Sequence, residues 1–147
     1  MVMEMEKFTG KIIFLDTAPL IYFIEGHSQY QQKLKQLFLL NDEGHFKFLS
    51  SVITLLEVLV KPLKEGQNKT VEQYKKILTN AEGIDIFEIT IPVTIKAAEL
   101  RAKYNIHTPD ALQIATAIER QADFFLTNDL RLKQVVEIKL VTISELQ

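Results

Sequence analysis

The sequence contains no cysteine, only 5 glycines and 4 prolines in 147 residues, and no apolar run long enough to cross a bilayer. Without cysteine, disulfides, thiolate zinc sites and a cysteine nucleophile are excluded, and an intracellular setting is compatible. The longest apolar stretch, Phe46 to Val60, is interrupted by Lys47 and Glu57. Met1 to Gly10 mix Glu and Lys and have no apolar core of the kind that exports a chain. A soluble, cytoplasmic protein with no membrane segment is therefore expected. The scattered Gly, Pro and Ser leave no linker, and no internal repeat is visible, so a single domain over residues 1–147 is expected. The net charge of −2 disfavours a basic coat for nucleic acid. An enzyme that gathers carboxylates around metal ions, by contrast, is acidic by construction.

What is present alternates between two periodicities. Lys11-Ile-Ile-Phe-Leu-Asp16 is a continuous apolar run ending in an acid, the pattern of a strand buried on both faces. Helices are expected over Pro19–Glu25 and Gln29–Leu40, with Gly26 stopping the first and Ser28 capping the second. A strand over Phe46–Ser50 leads into a helix capped by Ser51 and closed near Pro62. A polar helix over Thr70–Asn80, a strand over Ile84–Thr90 and two helices opened by Pro92 and by Thr108-Pro109 follow. Strands over Phe124–Thr127 and Ile138–Ile143 end the chain. This order predicts an α/β fold, a three-layer α/β/α sandwich around a central, mainly parallel five-stranded sheet.

Open sheets of this kind place their sites beyond the carboxyl ends of the strands. Asp16 follows the first strand and Asp129 the fourth, while Glu57 and Asp110 fall in the first two turns of helices that can border the same edge. Each acid also has a purely structural reading. Glu57 sits in an apolar stretch where a buried carboxylate is costly unless paired, and Lys61 at i,i+4 offers a pair. Asp110 complements a helix dipole, and Asp16 and Asp129 fit N-caps or turns. If the four share one edge, their mutual repulsion calls for a hard cation, and an all-oxygen donor set suits Mg²⁺ or Mn²⁺.

Phe14-Leu-Asp-Thr17, Ser51-Val-Ile-Thr-Leu-Leu-Glu57, Thr108-Pro-Asp-Ala-Leu-Gln-Ile-Ala-Thr-Ala117 and Phe125-Leu-Thr-Asn-Asp129 resemble the successive motifs of PIN domains, most closely those of VapC-type toxins. The resemblance implies a Mg²⁺- or Mn²⁺-dependent endoribonuclease. Asp16, Glu57, Asp110 and Asp129 carry over as the acidic metal-binding and catalytic quartet, and Thr127 as the hydroxyl residue that joins them. It further implies an RNA substrate, a cognate antitoxin as partner and a homodimer. Asp16 and Asp110 are taken as the main ligands, with Glu57 and Asp129 completing a second metal position or orienting water. Ala18 departs from the pattern, since many relatives carry Ser or Asn there.

The alternative is a catalytically inactive PIN-like module that binds RNA or protein. Ala18 also excludes the second acid that a haloacid-dehalogenase site requires, and Phe14-Leu15 exclude the acid pair of a receiver domain. No glycine-rich phosphate loop is present. His27, His45 and His107 lack ligand spacing. Thr17 and Asn128 are candidates for substrate contact or for simple turn chemistry. Lys61, Lys64, Lys69, Lys75 and Lys76 read either as a rim for an RNA backbone or as a solvated face.

Overall fold

The computed structural model describes residues 3–80 and 83–147. Its five strands are β1 (Ile12–Leu15), β2 (Lys47–Ser51), β3 (Ile84–Phe87), β4 (Phe124–Thr127) and β5 (Lys139–Thr142). They form one sheet in the order β3-β2-β1-β4-β5, and every pairing is parallel. The sheet is thus wholly parallel, where the sequence predicts a mainly parallel one. Six α-helices join the strands: α1 (Thr17–Glu25), α2 (Gln31–Asp42), α3 (Val52–Lys64), α4 (Asn68–Asn80), α5 (Ile91–Lys103) and α6 (Thr108–Glu119).

Alternation along the strands creates two cores. Ile13 and Leu15 face one side with Phe48 and Leu126, against Leu20, Leu34, Leu37, Val58, Tyr74 and Leu78 of α1 to α4. Phe14, between them in sequence, faces the other side with Leu49, Phe125 and Leu140, against Val93, Ala97, Ala111 and Ile114 of α5 and α6. The Phe14 and Phe125 rings stack at 5.3 Å across the β1–β4 pair. The result is three layers, with β1 central and the direction of strand addition reversing between β1 and β4. That reversal point is where an open parallel sheet leaves a crevice at its carboxyl edge.

Two local expectations are corrected and a third holds. Ser28 does not cap α2, which begins at Gln31 without a side-chain cap; the backbone N–H groups of Gln29 and Tyr30 donate to His27 Nδ1 at 3.2 and 3.3 Å and fix the turn that leads into it. α3 ends at Lys64, two residues past Pro62, as expected; the proline sits in the last turn, where its missing N–H costs one bond only. The third strand stops at Phe87 because Thr90 is committed to α5, its hydroxyl accepting the Val93 N–H at 3.3 Å. Among the described residues, no helix is long and apolar enough to cross a membrane.

Candidate active site

The crevice beside β1 and β4 is a cleft of about 470 Å³ lined by Asp16, Glu57, Asp110, Thr127 and Asp129, together with Thr17, Ala18, Ile21 and Asn128. All five residues singled out by sequence therefore meet in one place. None of the three histidines is among the lining residues.

Asp16 is the anchor. It ends β1 and caps α1, so the sheet fixes its backbone on one side and the helix on the other. Its N–H continues the ladder to Leu126 O at 3.0 Å. One carboxylate oxygen accepts the Thr17 N–H at 2.9 Å, and the other accepts the Thr127 hydroxyl at 2.8 Å. Asp16 is thus the N-cap of α1 and at the same time lines the cleft. At 8% exposure, burial pushes its carboxyl up to about 6, the two hydrogen bonds oppose the rise, and the Asp110 and Glu57 charges add to it. Thr127 is fully buried and serves two acids, because its oxygen also accepts the Asp129 N–H at 3.1 Å.

Asp110 stands in the first turn of α6. Burial and then the Asp129 charge raise its carboxyl, with Glu57 adding and His107 and Arg131 opposing. Asp129 behaves in the opposite way. Arg131 grips it through Nε at 3.0 Å and Nη2 at 2.7 Å, and the Arg131 N–H donates to it at 3.0 Å. Those bonds hold the Asp129 carboxyl below its ordinary range. Asp129 is therefore a turn former as well as a wall of the cleft.

Glu57 corrects an expectation. It is exposed on α3, not buried. Among the described residues, no ion pair involves Glu57, so the i,i+4 contact with Lys61 is not made. Its Oε1 instead accepts the Thr17 hydroxyl at 2.7 Å, which ties α3 to the start of α1. Lys61, Lys64, Lys69, Lys75 and Lys76 are all exposed. Asn128 donates to the Tyr22 hydroxyl at 3.1 Å, a loop-fixing contact.

Sequence reasoning missed Arg131, whose role depends on the tight turn Leu130–Gln134 folding it back on Asp129. It also missed Gln113, a buried amide among apolar residues of α6. The signal for Gln113 was available, since a polar residue on a helix's apolar stripe must find partners.

As placed, no three His, Asp or Glu side chains among the described residues stand close enough to ligate one ion. The donor set nevertheless suits a hard divalent cation, being all carboxylate and hydroxyl oxygens with two carboxyls raised by burial and by neighbouring acids. Mg²⁺ keeps several waters, so carboxylates that stand apart can still share it through them.

A parallel α/β domain with an acidic cleft at its strand-order reversal is the class that fold and site define. The PIN domain family model matches residues 13–138, and the chain belongs to that family. Among curated proteins, none matches. Solved structures similar in fold include VapBC2 from Rickettsia felis bound to a DNA fragment from their promoter, at 21% identity and TM-score 0.68, covering 89% of this chain and 98% of that one. A toxin–antitoxin complex from Klebsiella pneumoniae has 22% identity and TM-score 0.67, covering 89% and 97%. VapC20 from Mycobacterium tuberculosis, a toxin that cleaves the sarcin–ricin loop, has 14% identity and TM-score 0.68, covering 86% and 98%.

Proposed function

We propose that the chain is a Mg²⁺- or Mn²⁺-dependent endoribonuclease that cleaves RNA phosphodiester bonds, acting as the toxin of a toxin–antitoxin pair. The observation that carries this reading is the meeting of Asp16, Glu57, Asp110, Asp129 and Thr127 in one cleft from four separate stretches of chain. Asp16 and Asp110 would be the principal holders of the cation, with Glu57 and Asp129 completing a second metal position or orienting water. A divalent cation held there would neutralise charge on phosphate oxygens and acidify water. The chain's own residues supply position. Thr127 and the Thr17 N–H fix the Asp16 carboxylate in one orientation, and Thr17 holds Glu57. Arg131, released from Asp129, is a guanidinium suited to a phosphate at the rim.

The same Arg131 contact is what favours the alternative, an inactive binding module whose Asp129 is permanently engaged. Glu57 and Lys61 separate the two. Glu57→Gln is expected to lower cleavage on the order of a hundredfold and to weaken Mn²⁺ binding, with little change in melting because the side chain is exposed. Lys61→Gln is expected to change neither. Full activity in Glu57→Gln removes it from the catalytic set.

Two partners belong to this reading, an antitoxin that covers the acidic cleft with a basic side chain and a second copy of the chain. Leu56, Val60 and Leu63 leave an apolar stripe on α3 at 61%, 43% and 60% exposure, beside Glu57. Sedimentation of the purified chain is expected to show a dimer of the 16.9 kDa protomer. A monomer at all concentrations removes the homodimer from the proposal.

A further inference from the structure

Gln113 is 1% exposed, and its neighbours on α6 include Ala111, Ile114, Ala115 and Ala117. An amide in such a place is costly unless both of its ends are satisfied. Here both are. The Ser51 hydroxyl donates to Gln113 Oε1 at 2.5 Å, and Gln113 Nε2 donates to Thr54 Oγ1 at 2.6 Å, with Ser51 and Thr54 fully buried.

The direction of these bonds is set at the start of α3. Ser51 Oγ accepts the Ile53 N–H at 3.1 Å as the helix cap, and among the described residues Gln113 Oε1 is the acceptor its own hydrogen meets, an acceptor that a reversed amide would take away. Nε2 must then face Thr54, whose oxygen accepts and whose own hydrogen is free to point onward. Thr17 Oγ1 lies 3.5 Å from Thr54 Oγ1 and 2.7 Å from Glu57 Oε1. One hydroxyl hydrogen cannot serve both. The short bond to a carboxylate takes it, so the longer contact runs from Thr54 to Thr17.

We propose that Gln113 is a positioning residue whose buried amide polarises the chain Ser51, Gln113, Thr54, Thr17, so that the Thr17 hydroxyl holds the Glu57 carboxylate on the cleft wall. With the amide reversed, Thr54 would donate back to Oε1, Thr17 would lose the donor behind it, and the Thr54 oxygen would compete for the hydrogen of what is Glu57's only side-chain donor among the described residues. The inference rests on the cleft being a cation site and adds the device that orients one of its exposed carboxylates. Groups that orient ligands from behind typically change metal affinity by about 10–100-fold when removed.

The test is Mn²⁺ affinity, measured from the free-ion paramagnetic resonance signal, on a double-mutant cycle. Gln113→Met and Thr17→Val are each expected to weaken Mn²⁺ binding by about tenfold, and the double variant by about the same factor, because both cut one chain. Thr17→Ser keeps the hydroxyl and is expected to bind as the parent does. Parental affinity in Gln113→Met, or a double variant whose loss is the product of the two, overturns the proposal. Should Gln113→Met fail to fold, Thr54→Val keeps the shape and cuts the same chain, with the same two outcomes. A parent chain that binds no Mn²⁺ removes the cation reading itself, and Gln113's role with it. A binding parent with unaffected variants removes only the role of Gln113.

Discussion

Asp16→Asn is expected to lose RNA cleavage by at least about a thousandfold, while its metal-free form melts no lower than the parent. The two halves of this result have one cause. Asp16 is the most enclosed of the four acids, and its charge is opposed by burial and by Asp110 and Glu57. Asn keeps the shape and can still accept the Thr17 N–H and meet the Thr127 hydroxyl, which then turns to accept. Removing the charge therefore relieves the fold at neutral pH. It also removes the anchor around which a cation would assemble, and with it several kcal/mol of charge stabilisation in the reaction. Thermal melting and single-turnover cleavage of one structured RNA, run on both proteins, check both halves. A variant that cleaves at the parental rate removes Asp16 from the chemistry. One that melts far below the parent shows instead that the ionised carboxylate is a structural necessity.

The metal-free chain is expected to lose stability as pH rises through about 6, by on the order of 3 kcal/mol between pH 4 and pH 7. The sign follows from proton uptake. Asp16 titrates near 3.8 when unfolded and near 6 when folded, so between those values the folded state binds more protons. The associated stability is fully present below 3.8 and is lost as pH rises through the folded value. Asp110, also raised, acts in the same direction. Asp129, held low by Arg131, acts in the opposite direction at more acid pH, and its partial exposure keeps that contribution small. Saturating Mn²⁺ is expected to abolish the neutral-pH loss, because an ion that binds only the folded, ionised cleft adds about 2.7 kcal/mol at a hundred times its Kd. Melting temperature against pH, with EDTA and with Mn²⁺, gives both curves. Coincident curves contradict a shared cation site.

Much of this architecture was legible because the physics behind it is local. The Phe124–Thr127 strand is an apolar run bounded by Asp123 and Asn128, and its limits agree with the structure to the residue. Asp16 and Asp129 are legible through a topological rule, since an open parallel sheet builds its site beyond the carboxyl ends of its strands and both acids directly follow one. Glu57 was misread for a reason that also lies in periodicity. Its apolar neighbours in sequence suggested burial, yet at 100° per residue Leu55, Val58 and Leu59 face the core while Leu56 and Val60 point outward beside Glu57. Residues adjacent along a helix are not adjacent in environment. The contacts that organise the cleft were beyond local pattern altogether. Thr127 reaches Asp16 across 111 positions, and Gln113 reaches Ser51 and Thr54 across 62 and 59. Arg131, only two residues from Asp129, was hidden for the opposite reason. Charges that close in a polar loop usually mean nothing more than a wet surface, and only the turn that folds them together gives the pair its effect on the cleft.

The most direct measurement is cleavage of a structured RNA by the chain stripped of metal with EDTA and then titrated with Mg²⁺, with Asp16→Asn run in parallel. The expected result is no cleavage in EDTA, cleavage that rises and saturates with Mg²⁺, and none in the variant at any concentration. Cleavage that persists in EDTA, or that proceeds equally in Asp16→Asn, contradicts the assignment of this cleft as a metal-dependent ribonuclease site.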